Sequence, residues 1–238
     1  MKILVIGDSC EDNFIYCSID RICPEAPVPV LQPVDSTTNP GMAANVARNL
    51  MSLGAKVQLI TNEKMITKTR FVDIKSGQMI MRFDENDKCD SLNGWLDTKI
   101  KYDAIVISDY NKGFLSESDI EQLLDAWDCP TFIDTKKPLS TFAHKATFVK
   151  INKPEWENNS NYSEKNVIVT DGKNGATYNG KTYPVNNKVK VSDVSGAGDT
   201  FFAGLAYKYI ETGDISESIN FANFCASKVV QERGVTSI

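Results

Sequence analysis

Asp193-Val194-Ser195-Gly196-Ala197-Gly198-Asp199 runs straight into the apolar stretch Thr200-Phe201-Phe202-Ala203-Gly204-Leu205-Ala206-Tyr207, and this junction decides the fold. The two glycines on either side of Ala197 let the backbone turn tightly, so that successive N–H groups can point into one concavity. The apolar stretch predicts a helix, whose unpaired first-turn amides and positive dipole end add to that concavity. The product is a place for a phosphate or another developing anion. Asp199 stands at its mouth, where a carboxylate can take the proton of a hydroxyl that attacks phosphorus. A lone Gly-x-Gly would mark only a capped helix after a glycine turn, with Asp199 favouring the dipole. The whole run is far more specific than that. A short polar run, Lys188 to Ser192, precedes it.

Composition narrows the classes around this junction. The 238 residues suffice for one large α/β domain or two small ones, and 42% hydrophobic with 24% charged residues is the balance of an ordinary globular protein. A net charge of −5 without a basic block argues against nucleic acid as a partner. The six cysteines form no Cys-x-x-Cys pair and His144 is the sole histidine, so zinc is not expected and reduced thiols are. The N-terminal apolar run is too short for a signal peptide, and no stretch reaches membrane-spanning length. A cytoplasmic protein without a membrane partner is expected. The Gly-x-x-x-x-Gly-Lys-Ser/Thr of a P-loop and the His-Arg-Asp of a protein kinase are both missing.

Along the chain, Ile3–Ile6 reads as a buried parallel strand. Asp8 and Asp12 follow it, where open α/β sheets bind ligands, and they are candidates to accept hydrogen bonds from sugar hydroxyls. The alternative is a solvated loop. From Phe14 to Val34 the chain alternates and then carries Pro24, Pro27 and Pro29, which exclude helix and force an extended edge segment. Asn39–Asn45 opens an amphipathic helix with Ala43, Val46, Ala47, Leu50 and Met51 on one face, and Gly54 ends it. Lys56–Thr61 is a strand. Ile66–Val72 and Gln78–Asp84 pair across a turn at Ser76-Gly77. They bring Arg70 and Arg82, whose guanidinium groups suit a sugar phosphate; exposed charge is the plainer reading of both. Asp103–Asp109, Thr131–Asp134, Thr147–Ile151 and Val167–Thr170 read as further strands. Ser116–Trp127 is a helix with a Ser-x-x-Asp capping box that covers the sheet. Asp171–Ala176 leads into a hairpin, and Ser216–Glu232 is a last helix.

The opening junction resembles the signature of the ribokinase-like (PfkB) sugar kinases. Arg21-Ile22-Cys23-Pro24-Glu25-Ala26-Pro27-Val28-Pro29-Val30 looks like the lid of one branch, the D-glycero-D-manno-heptose 7-phosphate kinases. The resemblance implies a ribokinase-like α/β fold in a single domain, 1–238. A small β lid would be inserted at about 13–38 and 64–85, covering the sugar and joining a homodimer. It makes Asp199 the catalytic base and the Gly196, Ala197 and Gly198 amides the anion hole. In the family's Pro-Gly-Gly-Ala-Ala-Asn, Gly41 and Asn45 match, Met42 replaces the second glycine, and Asn45 contacts a sugar hydroxyl. Ser108-Asp109-Tyr110-x-Lys112-Gly113 matches as well and offers Lys112 to a phosphate. The Asp-x-Lys lysine, Lys136 with Lys137 beside it, reaches the transferred phosphate. Asn152-Lys153-Pro154-Glu155 is the family's Asn-x-x-Glu, which touches ATP and gives Glu155 to magnesium. Thr170 and Gly172 lie on the nucleotide side, and Asp193 contributes to a monovalent-cation site, potassium being the candidate. Two family segments are missing, after Asn62 and after Glu155. The implied reaction moves the γ-phosphate of ATP to the anomeric hydroxyl of a heptose 7-phosphate. A kinase of another sugar phosphate is the nearest alternative; a trimmed homologue that binds without turnover is the second, suggested by Met42 and the two deletions.

Overall fold

Ile3 to Ile6 are wholly buried because the strand they form has helices on both faces. The computed structural model describes residues 1–94, 96–159, 162, 164–185, 191–232 and 234–238. In chain order, β1 (Lys2–Gly7) passes into β2 (Ser9–Ser18), which pairs antiparallel with β3 (Gln32–Met42); α1 (Ala43–Ser52) follows, and β4 (Lys56–Ile60) returns beside β1. β5 (Ile66–Asp73) and β6 (Met79–Glu85) form a hairpin. Then come β7 (Ala104–Asp109), α2 (Glu117–Asp125), β8 (Thr131–Thr135), β9 (Phe148–Asn152), α3 (Lys153–Glu157) and β10 (Val167–Thr170). The hairpin β11 (Ala176–Tyr178) and β12 (Lys181–Tyr183) precedes α4 (Ala197–Thr212) and α5 (Ile215–Val229).

The main sheet has the order β12-β11-β10-β9-β8-β7-β1-β4, parallel from β10 to β4 and antiparallel at the β11–β12 edge. Alternate residues of each strand feed opposite faces. Ile3, Val5, Val106 and Phe132 pack under α1, α4 and α5, whereas Leu4, Ile6, Ile107 and Ile133 pack under α2. This is the ribokinase-like doubly covered sheet expected. Gly204 lets α4 lie close on α5: a Cβ there would sit 3.2 Å from the Cys225 sulfur.

A second sheet, β3-β2-β5-β6, hangs off the carboxyl ends of β1 and β4. Its strands extend beyond the expected insertion bounds, since β2 starts at Ser9 and β3 reaches Met42. Asp12 therefore lies within a strand and is not part of a solvated loop, and the segment Asn39–Met42 is strand where helix was expected. Met51 is another correction, because α1 ends over the sheet edge and leaves it 52% exposed. The α2 capping box forms as read, Ser116 accepting from the Asp119 N–H and Asp119 from the Ser116 N–H. His144 stacks on Tyr162 at 4.5 Å between ring centroids, far from the acidic cleft described next. Of the polar runs, Lys188–Lys190 and residues 160, 161 and 163 lie outside the described residues.

Candidate active site

Gly196 begins the site. It is the N-cap of α4 at φ 77°, a left-handed conformation that glycine adopts without strain. A Cβ there would also lie 2.8 Å from the Asn45 amide nitrogen. The turn it makes sets Asp199 in the first turn of α4, 4% exposed. Asp199 Oδ1 accepts from the Tyr110 hydroxyl at 2.6 Å, and Oδ2 accepts from Asn45 Nδ2 at 3.0 Å. Burial pushes the carboxyl up to about 6, against the opposing pull of the Tyr110 and Asn45 hydrogen bonds, while nearby Asp134 adds to the rise. A carboxylate with that value is suited to accept a proton near neutrality.

The amides divide unevenly. The Ala197 N–H turns back to the Val194 carbonyl at 3.3 Å, because the turn closes on itself there. Among the described residues, no protein acceptor meets the N–H of Gly196, Gly198 or Asp199. The open donors at this turn are these, so that Asp199 stands in for Ala197 among the amides expected to face an anion. Behind them lies a buried ion pair absent from the sequence reading. Lys150 of β9 meets Asp134 of β8, its register partner, at 2.7 Å, with side chains 5% and 3% exposed. A Cβ on Gly198 would stand 3.3 Å from Lys150 Nζ, so the glycine admits this ammonium to the back of the hole. A lysine inside the apolar run Phe148–Ile151 was the available signal.

On the nucleotide side the Asn-x-x-Glu spacing is a capping box. Asn152 caps α3 by accepting from the Glu155 N–H at 2.9 Å, and Glu155 Oε2 accepts from the Asn152 N–H at 3.2 Å. Glu155 Oε1 is paired with Lys136. Burial pulls the Lys136 ammonium down, yet Asp134 and Glu155 outweigh it and hold Lys136 above the usual lysine range, charged. Lys137 is instead bound by both oxygens of Asp109. Pro154 occupies the first turn of α3, and Lys153 reaches across to Asp171 at 3.1 Å on the surface. Thr170 donates to the Ile151 carbonyl, and Gly172 sits at φ 49° on an open rim with no atom near its missing Cβ. Magnesium takes one or two carboxylates plus phosphates and water. Glu155 and Asp134 both bear on Lys136, and Asp134 Oδ1 is a buried oxygen with no partner among the described residues. These donors fit the ion. Asp193 is spent locally, its oxygens accepting from the Ser195 and Gly234 N–H groups.

The lid closes the other side. Cys10, Asp12 and Phe14 of β2 lie in register with Ile66, Lys68 and Arg70 of β5, and Arg70 with Arg82 of β6, so these side chains share one face. Arg70 pairs with Asp12 and lies over Phe14; Arg82 pairs with Asp84. Lys68, which sequence reasoning passed over, points its ammonium at the Tyr110 ring, 5.5 Å from the centroid. Gly41 is held tightly beneath: a Cβ on it would meet Asp12 Oδ2 at 2.3 Å. Met42 adopts φ 59°, ψ −132°, a glycine conformation, and buries its side chain with Cys10 and Ile66 against Tyr110. Asp8, expected at a sugar hydroxyl, and Lys112, expected at a phosphate, have protein partners in this structure. Asp8 is fully buried and accepts from the Tyr110 and Phe114 N–H groups, which makes it the anchor of the loop after β7. Lys112 pairs with Asp87 at the surface. Burial pushes the Cys10 and Cys89 thiols up to about 12, so neither offers a thiolate at neutral pH.

A buried carboxylate with a raised pKa, beside open backbone amides and an inward lysine, is suited to take a proton from a hydroxyl next to a bound anion, the arrangement that an ATP-dependent carbohydrate kinase needs. The sequence pattern of the pfkB family carbohydrate kinases matches residues 119–238, and the chain belongs to that family. It is similar to the bifunctional protein HldE of Helicobacter pylori, 32% identical over 295 residues, covering 98% of this chain and 63% of the relative. HldE of a Nitratiruptor species is 29% identical, with 99% and 63% covered. The chain thus spans 63% of the length of these curated relatives. The alignments are longer than the chain itself, which is the footprint of the missing segments. Among solved structures, phosphofructokinase-2 of Escherichia coli in complex with potassium superposes with a TM-score of 0.73 at 17% identity, covering 99% and 94% of the two chains. The nucleoside kinase of Methanocaldococcus jannaschii does so at 0.70 and 18%, covering 98% and 93%.

Proposed function

We propose that this chain phosphorylates the anomeric hydroxyl of a heptose 7-phosphate with ATP. The observation that supports the reading is the lid face that bears Lys68, Arg70 and Arg82, with Lys68 at the Tyr110 ring beside Asp199 and the two arginines paired with Asp12 and Asp84, partners that a phosphate on the acceptor would replace. The similarity to HldE proteins supports heptose as the sugar. Asn45 orients the acceptor and Asp199 takes the proton of its hydroxyl, whose oxygen attacks the γ-phosphorus as the bond to ADP breaks. The Gly196, Gly198 and Asp199 amides, backed by Lys150, stabilise the charge on the phosphoryl oxygens, and Lys136 turns from Glu155 to the nucleotide. Magnesium, held through Glu155 and Asp134, would neutralise phosphate oxygens.

The lid's outer face carries Ile15, Phe71, Met81 and, in the next row, Phe83, of which Met81 and Phe83 are 48% and 53% exposed. An apolar face of this kind supports a homodimer through the lid. A cytoplasmic setting agrees with six unpaired cysteines. Among the described residues, no helix is long and apolar enough to cross a membrane.

The test is transfer from Mg-ATP to D-glycero-D-manno-heptose 7-phosphate, with Asp199→Asn as control. A bisphosphate made by the unaltered protein alone supports the reading. Turnover of a different sugar phosphate in its place would overturn the heptose assignment. Binding of both ligands without transfer would favour the non-catalytic homologue, for which Met42 packed against Tyr110 is the relevant observation.

A further inference from the structure

The acceptor's place on Asp199 is occupied in this structure by a side chain of the protein itself. The Tyr110 hydroxyl donates to Asp199 Oδ1 at 2.6 Å, the distance and partner that an attacking hydroxyl would require. We propose that Tyr110 is a gate: its phenol stands in for the acceptor hydroxyl, keeps water off the base, and leaves when both substrates are bound. The proposal rests on the reading of Asp199 as the base.

Three features make the side chain movable while its backbone stays put. The Tyr110 N–H is anchored to Asp8 Oδ2 at 2.6 Å, so the movement is a swing about the side-chain torsions that slides the ring off Cys10, Met42 and Ile66. Asn45, the other donor to Asp199, is fully buried in α1 and has no comparable freedom. The Tyr110 ring is attended by two ammonium groups from opposite sides of the cleft, Lys68 of the lid at 5.5 Å and Lys136 of the nucleotide side at 5.4 Å. Each is a phosphate ligand in the proposed complex, Lys68 for the acceptor and Lys136 for ATP. Phosphate at both positions draws both cations off the ring, and the gate is loosened only then. A kinase whose base is blocked until the acceptor arrives does not waste ATP on water.

The charged and titratable groups around this pair are Asp134 and Lys150 beside Asp199, and Lys68, Lys136, Asp134 and Cys10 around Tyr110. Tyr110→Phe keeps the ring and its lysine contacts and removes only the hydroxyl. Its acceptor-free ATP hydrolysis is expected to rise about two- to tenfold, and the KM for heptose 7-phosphate to fall by a similar factor, the worth of one hydrogen bond. The acid limb of kcat/KM, which reports free enzyme, moves to higher pH because Asp199 loses a bond that favoured its charged form. The limb of kcat stays, because Tyr110 is already off Asp199 when both substrates are bound. A tyrosine that stays on Asp199 through turnover would shift the limb of kcat together with that of kcat/KM, and that result overturns the gate. Unchanged hydrolysis in Tyr110→Phe overturns it too. Where heptose 7-phosphate is not turned over, the acceptor-free arm decides alone: the added hydrolysis must vanish in Tyr110→Phe/Asp199→Asn. If Asp199→Asn itself retains transfer, the base assignment falls and the gate with it. If Asp199→Asn is inactive while Tyr110→Phe matches the unaltered protein, the gate alone falls.

Discussion

Asp199→Asn separates the cost of keeping a base from its use. The folded carboxyl lies at about 6 against 3.8 for an ordinary aspartate, because burial disfavours its charge. At about 1.4 kcal/mol per unit, this roughly two-unit rise makes the ionised side chain cost about 3 kcal/mol of folding free energy. Below 3.8 the group is protonated whether folded or unfolded, and the cost is absent. Between 3.8 and about 6 the unfolded chain releases its proton while the folded one keeps it, so the cost grows with pH. Above about 6 it is constant. Asparagine does not titrate, and it satisfies both neighbours by turning its oxygen to the Asn45 amide and its NH2 to the Tyr110 hydroxyl, which accepts as well as donates. The variant should be within about 0.5 kcal/mol of the unaltered protein near pH 4 and about 3 kcal/mol more stable at pH 8. Urea denaturation at pH 4, 6 and 8 reads the difference. The same variant should lose transfer by a factor of about 10² to 10⁴. A stability difference that does not change with pH would refute the buried, raised carboxylate, and surviving transfer would refute the base.

Other perturbations probe the surroundings. Because Met42 holds a glycine conformation, Met42→Gly should be more stable than Met42→Ala by about 1 kcal/mol in urea melts, reversing the usual order of these residues; alanine equal or better would remove the strain. Lys150→Met strands the Asp134 carboxylate in the interior and should cost about 3–5 kcal/mol, a loss below 1 kcal/mol arguing against a true buried pair. Arg70→Ala should raise the KM for the sugar phosphate about 10- to 100-fold and leave that for ATP unchanged, and an equal rise in both would place Arg70 outside the acceptor site. Light scattering should give a dimer that Phe83→Glu reduces to a monomer; a monomeric unaltered protein sinks the lid interface.

What the sequence made legible is what local rules govern. β1 and β7 announced themselves as unbroken apolar runs, since a strand covered on both faces has no polar side to show. The capping boxes at Ser116 and Asn152 follow from a three-residue spacing alone. Non-local satisfaction was invisible. Asp8 looked like a ligand residue after a strand, but its partners are amides more than a hundred residues away. Lys150 interrupts an apolar run, and nothing nearby in sequence identifies Asp134 as its counter-charge. Tyr110 carried no chemistry of its own until the fold set it against Asp199. The Asn152–Glu155 run joins the two kinds of information. Its spacing is explained by the cap of α3, yet the cap uses one Glu155 oxygen and Lys136 holds the other. A metal at Glu155 must therefore compete with Lys136, and the competition has a direction. In the proposed complex magnesium would come with ATP, whose phosphates would offer Lys136 a replacement for the carboxylate it gives up. That exchange, Glu155 to the ion and Lys136 to the nucleotide, would keep both side chains paired before and after. It would also take Lys136 away from the Tyr110 ring, which under the proposed gate is the first half of freeing Asp199.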